Sequence, residues 1–184
     1  MNEPYFFGYG SLVNRKTHDY PDFQVAKVKG WRRVWQPSPF RPVAFLSVMP
    51  APNEFVWGAI ARVPENDWAA LDQREAAYDR HQVHEDDAEH GASTTNVQIY
   101  AAKVPEPPKS SHPILLSYLD TVIQGFLLEH GEAGAHHFFE TTEGWHIPIR
   151  NDRADPVYPR SQPTTSRERA FVDHALKSLS AVVE

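Results

Sequence analysis

The stretch Gly8-Tyr9-Gly10-Ser11-Leu12 has the residue types of a ligand-binding turn. Residues 5–7 precede it and are the aromatic β-formers of a buried strand. The two glycines that flank Tyr9 allow the backbone to turn tightly and to approach a neighbour closely. Consecutive N–H groups in such a turn can form a small concavity that suits a carboxylate or a phosphate. A strand that simply ends in a glycine turn would have the same sequence.

Known phosphate and nucleophile motifs do not fit this turn. It lacks the third glycine and the following helical pattern of a dinucleotide site, and it lacks the Gly-Lys-Ser/Thr of a P-loop. Ser11 does not stand in a G-x-S-x-G segment, and no partners for a catalytic triad are identifiable. We therefore expect Ser11 to act through the loop and not as a nucleophile.

A second candidate is the pair Arg74-Glu75, which lies between a predicted helix at about 65–75 and an extended segment at 78–83. A carboxylate at such a junction can be held rigidly and still face a cavity. The more common role of an Arg-Glu pair after a helix is a solvated surface pair. Tyr78 either lines a pocket or packs in the core. The sequence alone decides neither this question nor whether Arg74-Glu75 faces a cavity or lies on the surface.

Ten histidines raise the question of a metal site. The densest group is His81, His84 and His90, which alternate with acidic residues. If 81–85 are extended, His81 and Glu85 share one face and His84 lies on the other. That arrangement divides the ligands, so we expect a solvated acidic edge, no metal and no cofactor.

The composition is that of an ordinary globular chain of 184 residues, with 41% hydrophobic and 23% charged residues. The net charge is -6, and no basic run exceeds Trp31-Arg32-Arg33, so neither nucleic acid nor an anionic membrane is an expected partner. No apolar stretch reaches the ~20 residues of a membrane helix, and no secretory signal is recognisable. The absence of cysteine excludes disulfides and thiol nucleophiles and is compatible with the cytoplasm.

These candidates must be positioned by the surrounding strands and helices. The patterns predict strands at 4–9, 24–35 with a bend at Gly30, 43–49, 55–63 and 96–104, and helices at 65–75, 113–130, 133–141 and 166–182. Gly131 is expected to end the helix at 113–130. Residues 105–111 are predicted to be a surface loop and 144–163 to be irregular. Strands dominate the first half and helices the second, which predicts an α+β fold with a small, mixed, barrel-like sheet and helices packed around it.

The segment Phe7-Gly8-Tyr9-Gly10-Ser11-Leu12 resembles the YGSL signature of the γ-glutamylcyclotransferase-like superfamily, which includes ChaC-like and AIG2-like branches. The resemblance implies that Tyr9, Gly10, Ser11 and Leu12 hold the glutamyl group of a substrate. Residues 72–78 are similar to the family segment that carries the catalytic glutamate.

By the same resemblance, Glu75 is the general acid/base. Ser117-Tyr118-Leu119-Asp120, with Gly125 downstream, is similar to the family helix that directs a tyrosine hydroxyl into the pocket. Tyr118 is therefore expected to be a substrate contact, and Tyr78 is included as a candidate lining residue.

The family resemblance implies an enzyme that releases 5-oxoproline from a γ-glutamyl amide or peptide without a cofactor. The expected partner is a small γ-glutamyl molecule, and the expected state is a monomer or a weak homodimer. Residues 13–16 are Val-Asn-Arg-Lys and not the Ile-Trp common after this motif in ChaC-like members, so the substrate is left open. A non-catalytic binding module and a related acyltransferase are the alternatives. We expect one domain over 1–184, with 145–184 as a candidate branch-specific extension.

Overall fold

The computed structural model describes residues 2–38, 41–103 and 112–184. Its strands and α-helices are β1 (Tyr5–Gly8), β2 (Gln24–Pro37), β3 (Ala44–Arg62), α1 (Ala69–Arg74), β4 (Tyr78–Gln82), β5 (Ala88–Glu89), β6 (Val97–Ala102), β7 (Ile114–Leu115), α2 (Leu116–Thr141), β8 (Thr142–Glu143), β9 (Ile149–Arg150) and α3 (Ser166–Ser178). The predicted α+β class with helices on a mixed sheet is confirmed. The loop predicted at 105–111 lies outside the described residues.

β1 occupies a central place in the main sheet. The strand order is β4-β6-β1-β3-β2-β5, and β8 pairs with β2. β1 runs antiparallel to β3 and parallel to β6. β7 and β9 form a separate parallel pair. Because strands flank β1 on both sides, the glycine turn that follows it lies at an end of the sheet and not at an exposed edge.

The segments 43–49 and 55–63 were predicted to be two strands, and this prediction was wrong. They form one continuous strand, β3. Its ladder with β2 passes from Trp31–Pro50 to Lys29–Phe55, which leaves residues 51–54 opposite Gly30 and outside the ladder. Gly30 has φ 82°, a conformation that suits glycine. The predicted bend at Gly30 is confirmed, and pairing with the long β2 keeps the two halves of β3 in one strand.

The first predicted helix is shorter than expected. Glu65 and Asn66 have φ values of 56° and 54°, so the chain forms a 3-10 turn before α1 begins at Ala69. Gly131, with φ 68°, interrupts α2 as predicted. The last helix ends at Ser178 and not near 182, because residues beyond it pair with β9: the N–H of Ile149 donates to the carbonyl of Val182 at 2.8 Å. In the described part of the chain, no helix is long and apolar enough to cross a membrane.

Helices cover both faces of the sheet, and β1 contributes to the core on each side. Tyr5 and Phe7 belong to the main core with residues of α2 and α3. Phe6 points to a smaller core, which includes Leu71 of α1. The end of β1 therefore lies between the main core on one face of the sheet and the smaller core on the other face. The C-terminal part adds to the main core through Ile147, Ile149, Val172, Ala175 and Leu176. That 145–184 is branch-specific stays a prediction.

Candidate active site

The glycine turn after β1 is built by two close approaches. A Cβ atom on Gly8 would lie 2.5 Å from the Cβ of Leu12, and one on Gly10 would lie 2.8 Å from the hydroxyl oxygen of Tyr118. Only a hydrogen fits at either position without a shift of the neighbours. The chain then enters a 3-10 turn, in which the N–H of Val13 donates to the carbonyl of Gly10 at 3.0 Å. A turn of this kind leaves its first N–H groups without acceptors inside the turn.

This turn forms one wall of a small cavity of about 30 Å³. The lining residues are Phe7, Gly8, Tyr9, Gly10, Ser11, Leu12, Leu46, Glu75, Tyr78, Tyr100 and Tyr118. The structure thus brings together all the residues that the sequence singled out for the site, while their individual roles stay predictions. The space holds only one or two water molecules.

Glu75 is held at the end of α1 and is largely buried. It is the C-cap of that helix, and its N–H donates to the carbonyl of Leu71 at 2.9 Å. Its side chain is 17% exposed and that of Arg74 is 9% exposed, with 3.3 Å between Arg74 Nε and Glu75 Oε1. The pair is therefore not the solvated surface pair that is more common after a helix.

Arg74 connects Glu75 to the glycine turn. Its Nη2 donates to the hydroxyl of Ser11 at 3.2 Å, and its Nη1 donates to the carbonyl of Thr17 at 3.1 Å. One guanidinium thus contacts the carboxylate, the turn and the segment that follows the turn. Sequence reasoning named Arg74 only as the neighbour of Glu75 and gave it no role of its own.

Two tyrosines of the cavity, Tyr9 and Tyr78, are fixed by backbone carbonyls. The hydroxyl of Tyr9 donates to the carbonyl of Tyr100 at 2.6 Å, and that of Tyr78 donates to the carbonyl of Leu46 at 2.7 Å. Burial raises the pKa of Tyr9, Tyr78 and Tyr118, so all three stay neutral at physiological pH. Sequence reasoning missed Tyr100 and Leu46, which reach the site only through the pairing of distant strands.

Arg33, on β2, supports the turn from inside the core. Its side chain is fully buried, its Nε donates to the carbonyl of Tyr9 at 3.3 Å, and its Nη2 donates to the carbonyl of Trp57 at 3.1 Å. The guanidinium also lies over the rings of Phe126 and Phe138, at 5.2 and 4.8 Å. Burial lowers the pKa of Arg33 to about 9, which leaves it cationic at neutral pH. The glycine turn is thus held by two arginines, by Arg33 from the core and by Arg74 from the end of α1.

The environment of Glu75 makes it a better base than an exposed glutamate. Burial raises the pKa of its carboxyl group, and the positive charges of Arg74 and Arg160 oppose part of that rise. A carboxyl group whose pKa is raised by burial takes up a proton more readily near neutral pH. No cluster of three or more His, Cys, Asp or Glu side chains suited to a metal occurs in the described residues.

A wider cavity of about 340 Å³ lies apart from this site, between β3 and the end of α2. Its arginine, Arg32, forms ion pairs with Glu54 and Glu143, so its charge is already paired. We regard the smaller cavity as the candidate active site, because there a buried carboxylate faces a backbone turn with few competing partners.

Three solved structures have a similar fold. YkqA from Bacillus subtilis aligns with a TM-score of 0.57 and 20% identity over 78% of this chain and 57% of that chain. The uncharacterized protein loc79017 from Homo sapiens has a TM-score of 0.59 and 13% identity over 94% of this chain and 99% of that chain. A structure named gamma-glutamyl cyclotransferase has a TM-score of 0.57 and 14% identity over the same two shares, 94% and 99%. At these identities the likeness concerns the fold alone.

The chain spans 57% of the length of YkqA and nearly the whole length of the other two. A comparison with curated protein sequences gives no significant match. The model of the family described as ChaC-like protein matches residues 4–114, which include the glycine turn, Glu75 and Tyr78. Because this match covers more than half of the chain, the protein belongs to the ChaC-like family.

Proposed function

We propose that the protein is a γ-glutamyl cyclotransferase-like enzyme that releases 5-oxoproline from a γ-glutamyl amide or peptide. The observation that carries the proposal is a single shielded carboxylate, Glu75, in a cavity formed by the glycine turn of a ChaC-like chain. The fold shared with a structure named gamma-glutamyl cyclotransferase supports it.

The chemistry of a γ-glutamyl compound explains why one carboxylate is enough. Its free α-amine can attack its own side-chain amide carbonyl and close a five-membered ring. The attack is intramolecular, so the protein need not supply a nucleophile. Holding the chain in a ring-closing conformation lowers the barrier by several kcal/mol.

Glu75 would move the protons of this reaction. As a carboxylate it takes a proton from the α-ammonium, and the freed amine forms the new C–N bond to the amide carbon. As a carboxylic acid it then returns the proton to the leaving nitrogen as the old C–N bond breaks. The ring nitrogen then loses its second proton, which Glu75 passes to the released amine. The products are 5-oxoproline and the amine as its ammonium ion, and Glu75 ends as a carboxylate. General acid/base catalysis of this kind typically contributes ~10²–10⁴-fold.

The rest of the cavity would orient the substrate. The N–H groups of the turn at 9–12 suit the α-carboxylate, because the first N–H groups of a helical turn lack internal acceptors. The neutral hydroxyl of Tyr118 lies beside Gly10 and can donate to the α-carboxylate or to the developing oxyanion.

The test is a panel of γ-glutamyl amino acids, γ-glutamyl peptides and γ-glutamylamines, with 5-oxoproline release as the readout. Glu75→Gln should lower kcat by ~10²–10⁴-fold while the variant stays folded and still binds substrate. The matched control is Glu132→Gln, which changes an exposed glutamate of α2 and should keep full activity. Full activity in the Glu75→Gln variant would reject the assigned role.

The same panel separates the two alternatives. Thermal stabilisation by a γ-glutamyl compound without turnover would indicate a binding module. Transfer of the glutamyl group to an added amine, without 5-oxoproline, would indicate an acyltransferase.

A further inference from the structure

We propose that the turn Tyr158–Ser161 forms the leaving-group side of the active site and that Arg160 binds a carboxylate on the departing amine. The preferred substrates would then be γ-glutamyl amino acids or peptides with a free terminal carboxylate, and not uncharged γ-glutamylamines. This inference rests on the proposed function and adds a specificity-determining residue to it. The turn lies beyond the residues that the family model matches.

The turn borders the candidate active site through Tyr158. The ring of Tyr158 packs edge-on against the ring of Tyr118, with 4.9 Å between centroids and an interplanar angle of 88°. The hydroxyl of Tyr118 lies against Gly10 in the cavity wall. One aromatic contact therefore separates the turn from the glycine loop.

The segment on each side of the turn is fastened to α2. Before it, the buried carboxylate of Asp152 accepts hydrogen bonds from the N–H of Ser117 at 2.8 Å and from the N–H of Val157 at 2.9 Å. After it, the N–H of Gln162 donates to the hydroxyl of Thr121 at 3.3 Å. A loop anchored at both ends holds its tip in a defined place.

The turn itself is of a tight type. The N–H of Ser161 donates to the carbonyl of Tyr158 at 3.0 Å, which closes a four-residue turn. Pro159 occupies the second position, where its fixed φ favours such a turn. Arg160 is the next residue, so its backbone is placed before any ligand arrives.

Arg160 is exposed, and no acidic side chain of the described residues pairs with it. By contrast, Arg153 of the same region forms close pairs with Asp120 and Asp173. The charge of Arg160 nevertheless reaches the site, since it lowers the pKa of Glu75. An unpaired guanidinium beside an active-site carboxylate is suited to bind an anionic group of a ligand.

The size of the cavity assigns this anionic group to the leaving side. The space beside the glycine turn must widen to take even the glutamyl head of a substrate, so it cannot also take the leaving group. The remainder would extend past Glu75 toward the Tyr158–Ser161 turn, which packs against Tyr118 of the cavity wall. A terminal carboxylate on that remainder gains a charge-assisted hydrogen bond there, whereas a cationic amine tail meets repulsion.

The experiment compares two substrates that differ only in this group, γ-glutamyl-alanine and γ-glutamyl-alanine amide. The wild type should prefer the acid, and Arg160→Gln should lower the acid/amide ratio of kcat/KM by roughly tenfold. Arg160→Lys, which keeps the charge, should retain part of the preference. Arg167→Gln removes an equally exposed arginine of α3 and should leave the ratio unchanged. An unchanged ratio in Arg160→Gln, or an equal loss on both substrates, would overturn the assignment.

Calorimetric binding to Glu75→Gln and to Glu75→Gln/Arg160→Gln separates this inference from the proposed function. Suppose that the wild type cyclises neither compound, but that Glu75→Gln binds the acid more tightly than the amide and the double variant does not. Recognition of the carboxylate then stands, and the cyclotransferase proposal fails. If 5-oxoproline is released but Arg160 changes neither binding nor the kinetic ratio, only the present inference fails. If neither compound binds or reacts, both fail.

Discussion

The Nε atom of Arg74 lies 3.3 Å from a carboxylate oxygen of Glu75, and both side chains are largely buried. The other end of the same guanidinium donates to Ser11 and Thr17. Arg74 thus fixes the distance between the proposed base and the proposed substrate loop. We infer that it is a positioning residue, since it acts on the reaction through Glu75 and the turn.

Arg74→Gln should reduce kcat/KM by about 10–100-fold, because small misplacements of a catalytic group are costly. The pKa of Glu75 should rise further, since the substitution removes a nearby positive charge. The pH–rate profile should therefore shift its acidic limb to higher pH, which a purely structural defect would not do. Arg74→Lys keeps the positive charge but lacks the planar guanidinium with its several N–H donors. It should recover part of the rate and most of the pH profile.

Arg62→Gln is the matched control, because Arg62 forms an exposed pair with Asp22 away from the cavity. Its kcat/KM and pH profile should equal those of the wild type. A pH profile of Arg74→Gln identical to the wild type would show that Arg74 does not tune Glu75.

The close approach of Gly10 and Tyr118 gives a prediction about packing. An alanine Cβ at position 10 would lie 2.8 Å from the Tyr118 hydroxyl and 3.1 Å from Leu46 Cδ2. The ring of Tyr118 is held edge-on by Trp35 and Tyr158, so the hydroxyl cannot move freely. Gly10→Ala should cost about 1–3 kcal/mol of unfolding free energy, as overpacking does.

Adding Tyr118→Phe to Gly10→Ala removes the atom that clashes. In denaturant unfolding, the double variant should be more stable than the sum of the two single effects predicts. Gly91→Ala is the control, because its new Cβ would meet only the side-chain oxygen of Gln24, at 3.0 Å. Strict additivity in the cycle would contradict a direct contact between positions 10 and 118.

The sequence predicted those parts of the site that local residue types determine. Two glycines around Tyr9 predicted a tight turn, and Gly131 and Gly30 marked real breaks in α2 and β2. A turn of this kind needs glycine at fixed positions, so its signal is local and readable. Glu75 was a candidate from its place between a helix and a strand, its role as acid/base came from a family resemblance, and its burial was not readable from its neighbours.

The rest of the site depends on distant contacts. Tyr100 enters the cavity because β6 pairs in parallel with β1. The turn that carries Arg160 packs against Tyr118 through Tyr158, because Asp152 fastens this segment to α2. Neither pairing leaves a periodic pattern near the residue concerned. The division of β3 into two strands failed for the same reason: the segments 43–49 and 55–63 are separate in the sequence, but the long partner strand β2 spans the gap between them.

The pH dependence of activity follows from the charges around Glu75. Burial raises the pKa of its carboxyl group, while Arg74 on its own helix and Arg160 on the C-terminal turn lower it. Tyr9, Tyr78 and Tyr118, from the other walls, have raised pKa values and stay neutral. The base must be a carboxylate in the free enzyme, so kcat/KM should fall as the pH drops through the raised pKa of Glu75.

The charge that each variant removes determines the direction in which the acidic limb of its pH profile moves. Removal of a positive charge disfavours the carboxylate, so Arg160→Gln should move the acidic limb to higher pH, and Arg74→Gln should do so as well. Arg167→Gln, whose arginine pairs with Glu132 on the surface, should leave the limb in place. The measurement is kcat/KM against pH with the uncharged-tail substrate, γ-glutamyl-alanine amide, so that the terminal carboxylate plays no part. An acidic limb that stays in place in Arg160→Gln would show that the charge of this arginine does not act on Glu75, because loss of an interacting cation favours the protonated acid.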